Sequence, residues 1–341
     1  IGLYVDDTLG AYSSTSIKLW YLKEFETYFK QSPDSGSDHP EFIAIRFTVS
    51  DDKKTVRINT PKLWGRLRQR FGDMVLPEVT SPLPYSAMDL LYLPISDSNP
   101  ILTKEEFDAF GILGVANWGV LACRPAESHA GALLARRARV PTRSYAKCLT
   151  HYCAYLLAHK DDCLTYKIDP ASPERDLRSL VDSSWGNCPE TMRSWFGYCI
   201  LWCGCAFSWR AKLQPCVALA SRDAEAIAAV FAVKATLGFL IMLDELGFSP
   251  KSPCPIRVDN KATVDGAHSE KISKESRFMA MRLKWLREMV LHDLIGISHI
   301  TTGDNIADVF TKILPATLHA RFRAILMGTA TLAAIYTLYI I

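Results

Sequence analysis

The chain has 341 residues, an apolar fraction of 49%, a charged fraction of 22% and a formal net charge of +3. This composition excludes an intrinsically disordered chain, and the length predicts two or three domains with substantial cores. The small net charge does not decide whether the chain binds nucleic acid, so the local distribution of cations matters more than their sum.

The chain opens with a predicted strand–turn–strand hairpin that carries two adjacent acids at its bend. Residues 1–3 and 8–12 are the predicted strands, and Asp6 and Asp7 lie between them. Such a pair can be an ordinary turn, or it can hold a divalent metal against phosphate oxygens. In its apolar frame the Tyr4-Val5-Asp6-Asp7 segment resembles the metal-binding hairpin of reverse transcriptases. That resemblance implies another aspartate upstream, so the missing N-terminal half of a polymerase is a candidate partner.

Strand and helix patterns then alternate as far as residue 176. They predict a helix over 17–29, a hairpin over 42–58, a basic helix over 61–71, a long connection over 72–100, helices between 104 and 158, and a polar linker over 161–176. We expect the first seventy residues to be the least well packed part, because an incomplete sheet exposes an unpaired edge.

A basic run without any acid lies within this helical region. Its cations are Arg136, Arg137, Arg139, Arg143 and Lys147. A run of this kind is either a solvated helix face or a track for backbone phosphates, and the sequence leaves both interpretations open.

The pattern changes after the linker to a compact α/β order. It predicts a strand over 177–182, one or two strands over 196–209, a helix over 223–246, a strand over 256–258, a helix over 276–292, a strand over 295–300 and a helix start over 304–312. Strands first, followed by alternating helices and strands, predict a mixed-sheet α/β domain.

Four acids occupy notable positions in this second unit. Asp182 and Asp259 end predicted strands, Glu225 lies in the first turns of the long helix, and Asp308 lies on the last helix. Each could be a cap or a surface charge. Acids among apolar neighbours are nevertheless costly to bury unless a divalent metal makes their charges mutually tolerable. Strand ends and helix starts at one sheet edge are where sites gather.

The motifs around these acids resemble the ribonuclease H domain of copia-type LTR retrotransposons. The matching segments are Asp182-Ser183-Ser184-Trp185-Gly186, residues 208–215, residues 218–226, Val258-Asp259-Asn260-Lys261-Ala262 and residues 304–312. Upstream, Tyr4 to Asp7, Arg124-Pro125 and the helix ending at Leu157 look like the palm, thumb and connection of the same Pol polyprotein. The departures are Ser184, Ala126-Glu127 and Phe278, and none of them removes one of the four acids.

The resemblance implies a fold and a division of the chain. The fold class is α/β (α+β), with a truncated reverse-transcriptase palm and thumb remnant followed by a ribonuclease H-like mixed-sheet domain. The predicted units are a palm remnant over 1–60, a thumb- or connection-like helical region with a linker over 61–170, the ribonuclease H-like domain over 171–320, and an apolar tail over 321–341.

The resemblance also implies an activity. Asp182, Glu225, Asp259 and Asp308 would be catalytic residues and the ligands of two Mg²⁺ ions, with Mn²⁺ as an alternative, that hydrolyse RNA in an RNA–DNA hybrid. Polymerase activity is not expected of this chain alone. The alternative is a non-catalytic relic of a retroelement that binds nucleic acid or has no selected function. No histidine is clearly placed to assist product release, since the strand context of His299 favours a structural role.

Two further features bear on location. The chain has ten cysteines, and the cluster of Cys199, Cys203 and Cys205 lacks the paired spacing of a structural zinc site. No secretory signal opens the chain, so we expect reduced thiols in an intracellular protein, cytoplasmic or nuclear. The uncharged segment Ala324 to Ile341 has the length of a minimal membrane span, and it can equally be buried in an apolar groove. Tail anchoring is therefore a third, less favoured reading.

Overall fold

The computed structural model describes residues 2–4, 7–9, 14–28, 41–167, 177–248, 250–270 and 279–331. Its strands are β1 (Gly2–Tyr4), β2 (Asp7–Leu9), β3 (Glu41–Phe42), β4 (Ile45–Val49), β5 (Thr55–Asn59), β6 (Leu164–Lys167), β7 (Arg178–Ser184), β8 (Trp195–Trp202), β9 (Cys205–Leu213), β10 (Cys254–Val258) and β11 (Ile295–His299). Its helices are α1 (Thr15–Tyr28), α2 (Pro61–Gln69), α3 (Ala87–Leu91), α4 (Ala109–Cys123), α5 (Ser128–Arg137), α6 (Arg143–Ala158), α7 (Ser221–Glu245), α8 (Lys261–His268), α9 (Ala280–Leu291) and α10 (Ala316–Leu326).

The second half of the described chain contains a five-stranded mixed sheet with the strand order β11-β10-β7-β8-β9. Strands β7, β8 and β9 are antiparallel neighbours, whereas β10 runs parallel to β7 and β11 runs parallel to β10. Parallel neighbours need a crossover: the long helix α7 leads from β9 into β10, and α8 and α9 connect β10 with β11. The predicted α/β fold class with a mixed sheet is confirmed.

Both faces of this sheet are buried, which explains the almost wholly apolar sequence of β8. Successive side chains of a strand point to opposite faces. Trp195 and Cys199 therefore pack into a core built by helices α2–α6 and α10, while Phe196 and Ile200 pack into a core with α7, α8 and α9.

The helices of the first half share the first of these cores with the sheet. Trp64 of α2, Tyr152 of α6 and Cys199 of β8 belong to the same buried cluster. The division of the chain at residue 171 stays a prediction. By contrast, α1 presents Ile17, Leu19 and Trp20 to solvent with 46%, 62% and 63% of their surface exposed. The expected loose packing thus agrees with α1 and not with α2.

A second, antiparallel sheet has the order β3-β4-β5-β6. The predicted hairpin over 42–58 is present as β4 and β5, with its turn at residues 51–53. The predicted linker over 161–176 is wrong in its first part, because Leu164–Lys167 pairs with β5 as a strand. The backbone N–H of Thr165 also donates to Met327 O at 2.9 Å, so this strand lies against the chain that follows α10.

The cysteines and the apolar segments can be placed. All ten cysteines are free thiols, and eight of them are buried, as expected for core residues. Of the tail, residues 324–331 are described, and Leu326 and Met327 are buried in the core, whereas residues 332–341 lie outside the described part. Among the described helices, α7 alone is long and apolar enough to cross a membrane, a criterion that a core helix also meets.

Candidate metal centre

Three elements bring Asp182, Glu225 and Asp259 to one edge of the mixed sheet. Asp182 lies near the carboxyl end of β7, and Asp259 directly follows the parallel neighbour β10. Val258 is paired with Val181, so the next residues along the two strands are Asp259 and Asp182. Glu225 lies on the first turns of α7, which packs on β7. The carboxyl ends of parallel strands thus meet a helix N-terminus, which is the usual location of a site in an α/β sheet.

The three carboxylates form a compact cluster. One oxygen of each lies within 4.8 Å of the others. Asp182 is 1% exposed and Glu225 is 5% exposed. The backbone N–H of Ser183 donates to Glu225 Oε1 at 2.8 Å, whereas the buried Glu225 Oε2 has no hydrogen-bond partner. Buried polar atoms normally find a partner, so an orphaned carboxylate oxygen among other carboxylates suits a bound cation. The triad could hold a divalent metal.

The electrostatics of the cluster show the cost of leaving it without a cation. Burial, and then the charges of Asp182 and Asp259, raise the pKa of Glu225 well above its ordinary value. Burial and the charge of Asp182 likewise raise the pKa of Asp259. Both shifts mean that the ionised forms are disfavoured, since desolvation and like charges act in the same direction. A bound divalent cation would favour the ionised forms and so lower the pKa values of both Glu225 and Asp259.

Asp308 lies beside Asp182 but not in the group of three. Its segment, Ile306–Phe310, is a 3₁₀ helix rather than the start of the predicted α-helix. Lys312 Nζ lies 2.8 Å from Asp308 Oδ1 and 3.3 Å from Asp182 Oδ1, and the hydroxyl of Thr311 donates to Asp182 Oδ2. Burial and the charge of Asp182, opposed by Lys312, raise the pKa of Asp308 to about 7. Lys312 had no predicted role, although its spacing of four residues from Asp308 is visible in the motif.

The other predicted site residues are placed less completely. Asp6 lies outside the described residues, and Asp7 opens β2 opposite Tyr4 with its side chain outside the description, so the polymerase remnant stays a prediction. His299 Nε2 contacts the backbone oxygen of Asp259 at 3.1 Å, which is a structural contact.

The five cations of the basic run differ in whether they form an ion pair. Arg136 pairs with Glu190 at 2.9 Å, and Arg137 pairs with the same carboxylate. Arg139, Arg143 and Lys147 are exposed, and no ion pair to them is seen in the described part of the chain. Two of the five predicted phosphate contacts therefore have a carboxylate partner within the chain, and three are open to a ligand.

Replacing Glu225 with glutamine should stabilise the metal-free chain at pH 8 by about 1–3 kcal/mol. The folded state holds this carboxyl at a raised pKa, so the wild-type protein loses stability as the pH rises from the ordinary value of 4.5 through the folded-state value. The gain from the amide should therefore shrink as the pH falls toward 4.5. Urea denaturation with a chelator present, at several pH values, measures it.

The control for this measurement is Glu245→Gln, because Glu245 lies exposed at the end of α7. We expect no pH-dependent gain from it. A Glu225→Gln protein that is less stable than wild type at pH 8 would show that Glu225 is not under electrostatic strain.

The chain is similar in sequence to several known proteins. No protein-family model matches the chain. The retrovirus-related Pol polyprotein from transposon TNT 1-94 of Nicotiana tabacum is 27% identical over 203 residues, which are 60% of this chain and 15% of that protein. Those from transposons RE1 and RE2 of Arabidopsis thaliana are 23% and 24% identical over 75% and 56% of the chain.

The alignments cover a small share of the relatives, because the chain spans between 13% and 17% of the length of these three polyproteins. All three are Pol polyproteins of the copia type from plant transposons. The chain is therefore similar to a segment of copia-type retrotransposon Pol polyproteins, which confirms the resemblance predicted from its motifs.

Proposed function

We propose that this chain is a metal-dependent ribonuclease that cleaves the RNA strand of RNA–DNA hybrids. The observation that carries the proposal is the triad of buried Asp182, buried Glu225 and half-buried Asp259, with its orphaned Glu225 Oε2. Buried carboxylates at this distance are unfavourable without a cation, and carboxylate oxygens are the preferred ligands of Mg²⁺ and Mn²⁺. The similarity to transposon Pol polyproteins supports the same proposal.

The residues present fit two divalent cations. Asp182, Glu225 and Asp259 would hold one, and Asp182 with Asp308 would hold the other. Bound there, a pair of cations supplies an activated water and stabilises the leaving oxygen of a phosphodiester.

The chain itself preorganises these ligands. Ser183 fixes one oxygen of Glu225 through its backbone N–H, and Thr311 fixes one oxygen of Asp182 through its hydroxyl. These contacts hold the carboxylates in place before any ion binds. Ligands held in this way lose little conformational entropy when a cation and a substrate arrive.

The proposed substrate follows from surface charge and from the chemistry that distinguishes RNA from DNA. The exposed side chains of Arg139, Arg143 and Lys147 supply positive charge for phosphates without reading sequence. A protein distinguishes RNA from DNA by the 2′-hydroxyl and by the wide minor groove of an A-like helix. The proposed substrate is therefore a hybrid whose RNA strand passes the acidic cluster.

The test uses the full chain and a hybrid with a label on each strand. We expect the RNA strand to be shortened in Mg²⁺ or Mn²⁺, the DNA strand to stay intact, and both to survive in a chelator. An all-DNA duplex should not be cut. A chain that binds the hybrid and the metal but leaves the RNA intact would contradict the proposal and support the non-catalytic alternative.

A further inference from the structure

Lys312 places a cation of the chain itself between two of the carboxylates. Its Nζ lies 2.8 Å from Asp308 Oδ1 and 3.3 Å from Asp182 Oδ1, and its side chain is 34% exposed. An ammonium at bonding distance from two carboxylates stands where a metal ion shared by them would bind. We propose that Lys312 is a built-in counter-ion that competes with a divalent cation for the Asp182–Asp308 pair. This inference rests on the proposed function, because it assigns a competitor to the second cation of that site.

The contacts of Lys312 allow it to leave. Among the described residues its ammonium is hydrogen-bonded to Asp308 and Asp182. A lysine carries this charge on a flexible four-carbon stem, and the exposed third of the side chain gives it a path toward solvent. Asp182 does not depend on Lys312 for its position, because the Thr311 hydroxyl holds its other oxygen.

The triad of Asp182, Glu225 and Asp259 differs from this pair, because two of its three carboxylates have no ammonium partner among the described residues. No lysine or arginine of the described residues forms an ion pair with Glu225 or Asp259. Among the described residues, the first divalent cation therefore meets a bound ammonium at one of its three carboxylates, Asp182, and at neither Glu225 nor Asp259. The second must displace an ammonium that is bound to both of its carboxylates. The chain thus sets an order of binding, with the triad filled first and the Asp182–Asp308 pair filled after Lys312 withdraws.

The test counts Mn²⁺ sites on the full chain without substrate, by calorimetry and by the paramagnetic signal of free Mn²⁺. Wild type should show one tighter and one weaker site. Lys312→Met keeps the length of the side chain and removes its charge, so the weaker site should tighten by about tenfold or more. Adding Asp308→Asn to that variant should abolish the gain. Lys284→Met, at an exposed position on α9, is the matched control and should bind as wild type does.

Thermal unfolding gives a readout that a purely structural role would not produce. Metal-free Lys312→Met should unfold at a lower temperature than wild type, since it leaves two carboxylates without their cation, and Mn²⁺ should raise its midpoint by more than it raises that of wild type. Lys312→Gln keeps hydrogen-bond donors without charge and serves if Lys312→Met does not fold.

The two possible failures are distinguishable. Two sites of unchanged affinity in Lys312→Met would overturn the role of Lys312 and leave the proposed nuclease standing. Absence of any Mn²⁺ binding in all variants, with wild type included, would overturn the metal centre and this inference together.

Discussion

Asp259→Asn should lower the cleavage of RNA in a hybrid by at least about 1,000-fold, which is roughly 4 kcal/mol of transition-state stabilisation. The substitution keeps the shape of the side chain and removes one of the three charges of the triad. The metal-free protein should lose no stability at pH 8, because the charge of Asp259 is one of the causes that raise the pKa of Glu225. Lost activity without lost stability is the signature of a ligand that is strained until a cation binds. A cleavage assay and urea denaturation of the same preparation measure both quantities.

Asp265→Asn is the matched control for this substitution. Asp265 lies on α8, six residues further along the chain, and is exposed. It should leave cleavage, Mn²⁺ affinity and stability unchanged. Full activity in Asp259→Asn would remove this residue from the site, and equal losses in both variants would point to a change in the fold or in overall charge.

The closeness of Asp182, Asp259 and Glu225 could be predicted from local sequence patterns. Strands around 180 and 257 and a long helix from about 223 are each visible as apolar patterns, and parallel strands place their carboxyl ends at one edge. The sequence alone therefore predicts that Asp182, Asp259 and Glu225 lie together. The approximate extent of α7 was also predictable, since a largely apolar sequence lies between Ser221 and Asp223, which mark its N-terminus, and Gly247, which marks its end.

Contacts between residues far apart in the sequence could not be predicted from these local patterns. The strand Leu164–Lys167 is polar enough to resemble a linker, and only its partner β5, about a hundred residues earlier, makes it a strand. The short helix α8 was missed because its eight residues carry little apolar pattern, although Asn260 caps it by accepting a hydrogen bond from Thr263 N. The pairing of Arg136 and Arg137 with Glu190 likewise joins residues more than fifty positions apart.

Gly197→Ala should destabilise the protein by about 2–3 kcal/mol and weaken metal binding at the Asp182–Asp308 pair. Gly197 lies on β8 directly under the segment that carries Asp308. A methyl group there would collide with the Cβ of Phe310 and lie 3.2 Å from Thr311 Cγ2. Phe310 is fully buried, so the collision can be relieved only by moving its backbone. Because the Thr311 hydroxyl donates a hydrogen bond to Asp182, a shift of the backbone at Phe310 would also displace the Asp182 carboxylate.

Gly238→Ala is the control that separates the steric collision at Gly197 from the intrinsic effect of replacing a glycine with an alanine. Gly238 is exposed within α7, and a methyl group there would meet nothing within 4 Å apart from the helix itself. This change should stabilise the protein by about 0.5–1 kcal/mol, as alanine does in an exposed helix interior, and leave Mn²⁺ affinity alone. Urea denaturation and Mn²⁺ titration compare the two variants. A Gly197→Ala protein of wild-type stability would mean that Phe310 can move away from β8 at no cost, and then packing under residues 306–312 would not be what positions Asp308 and Lys312.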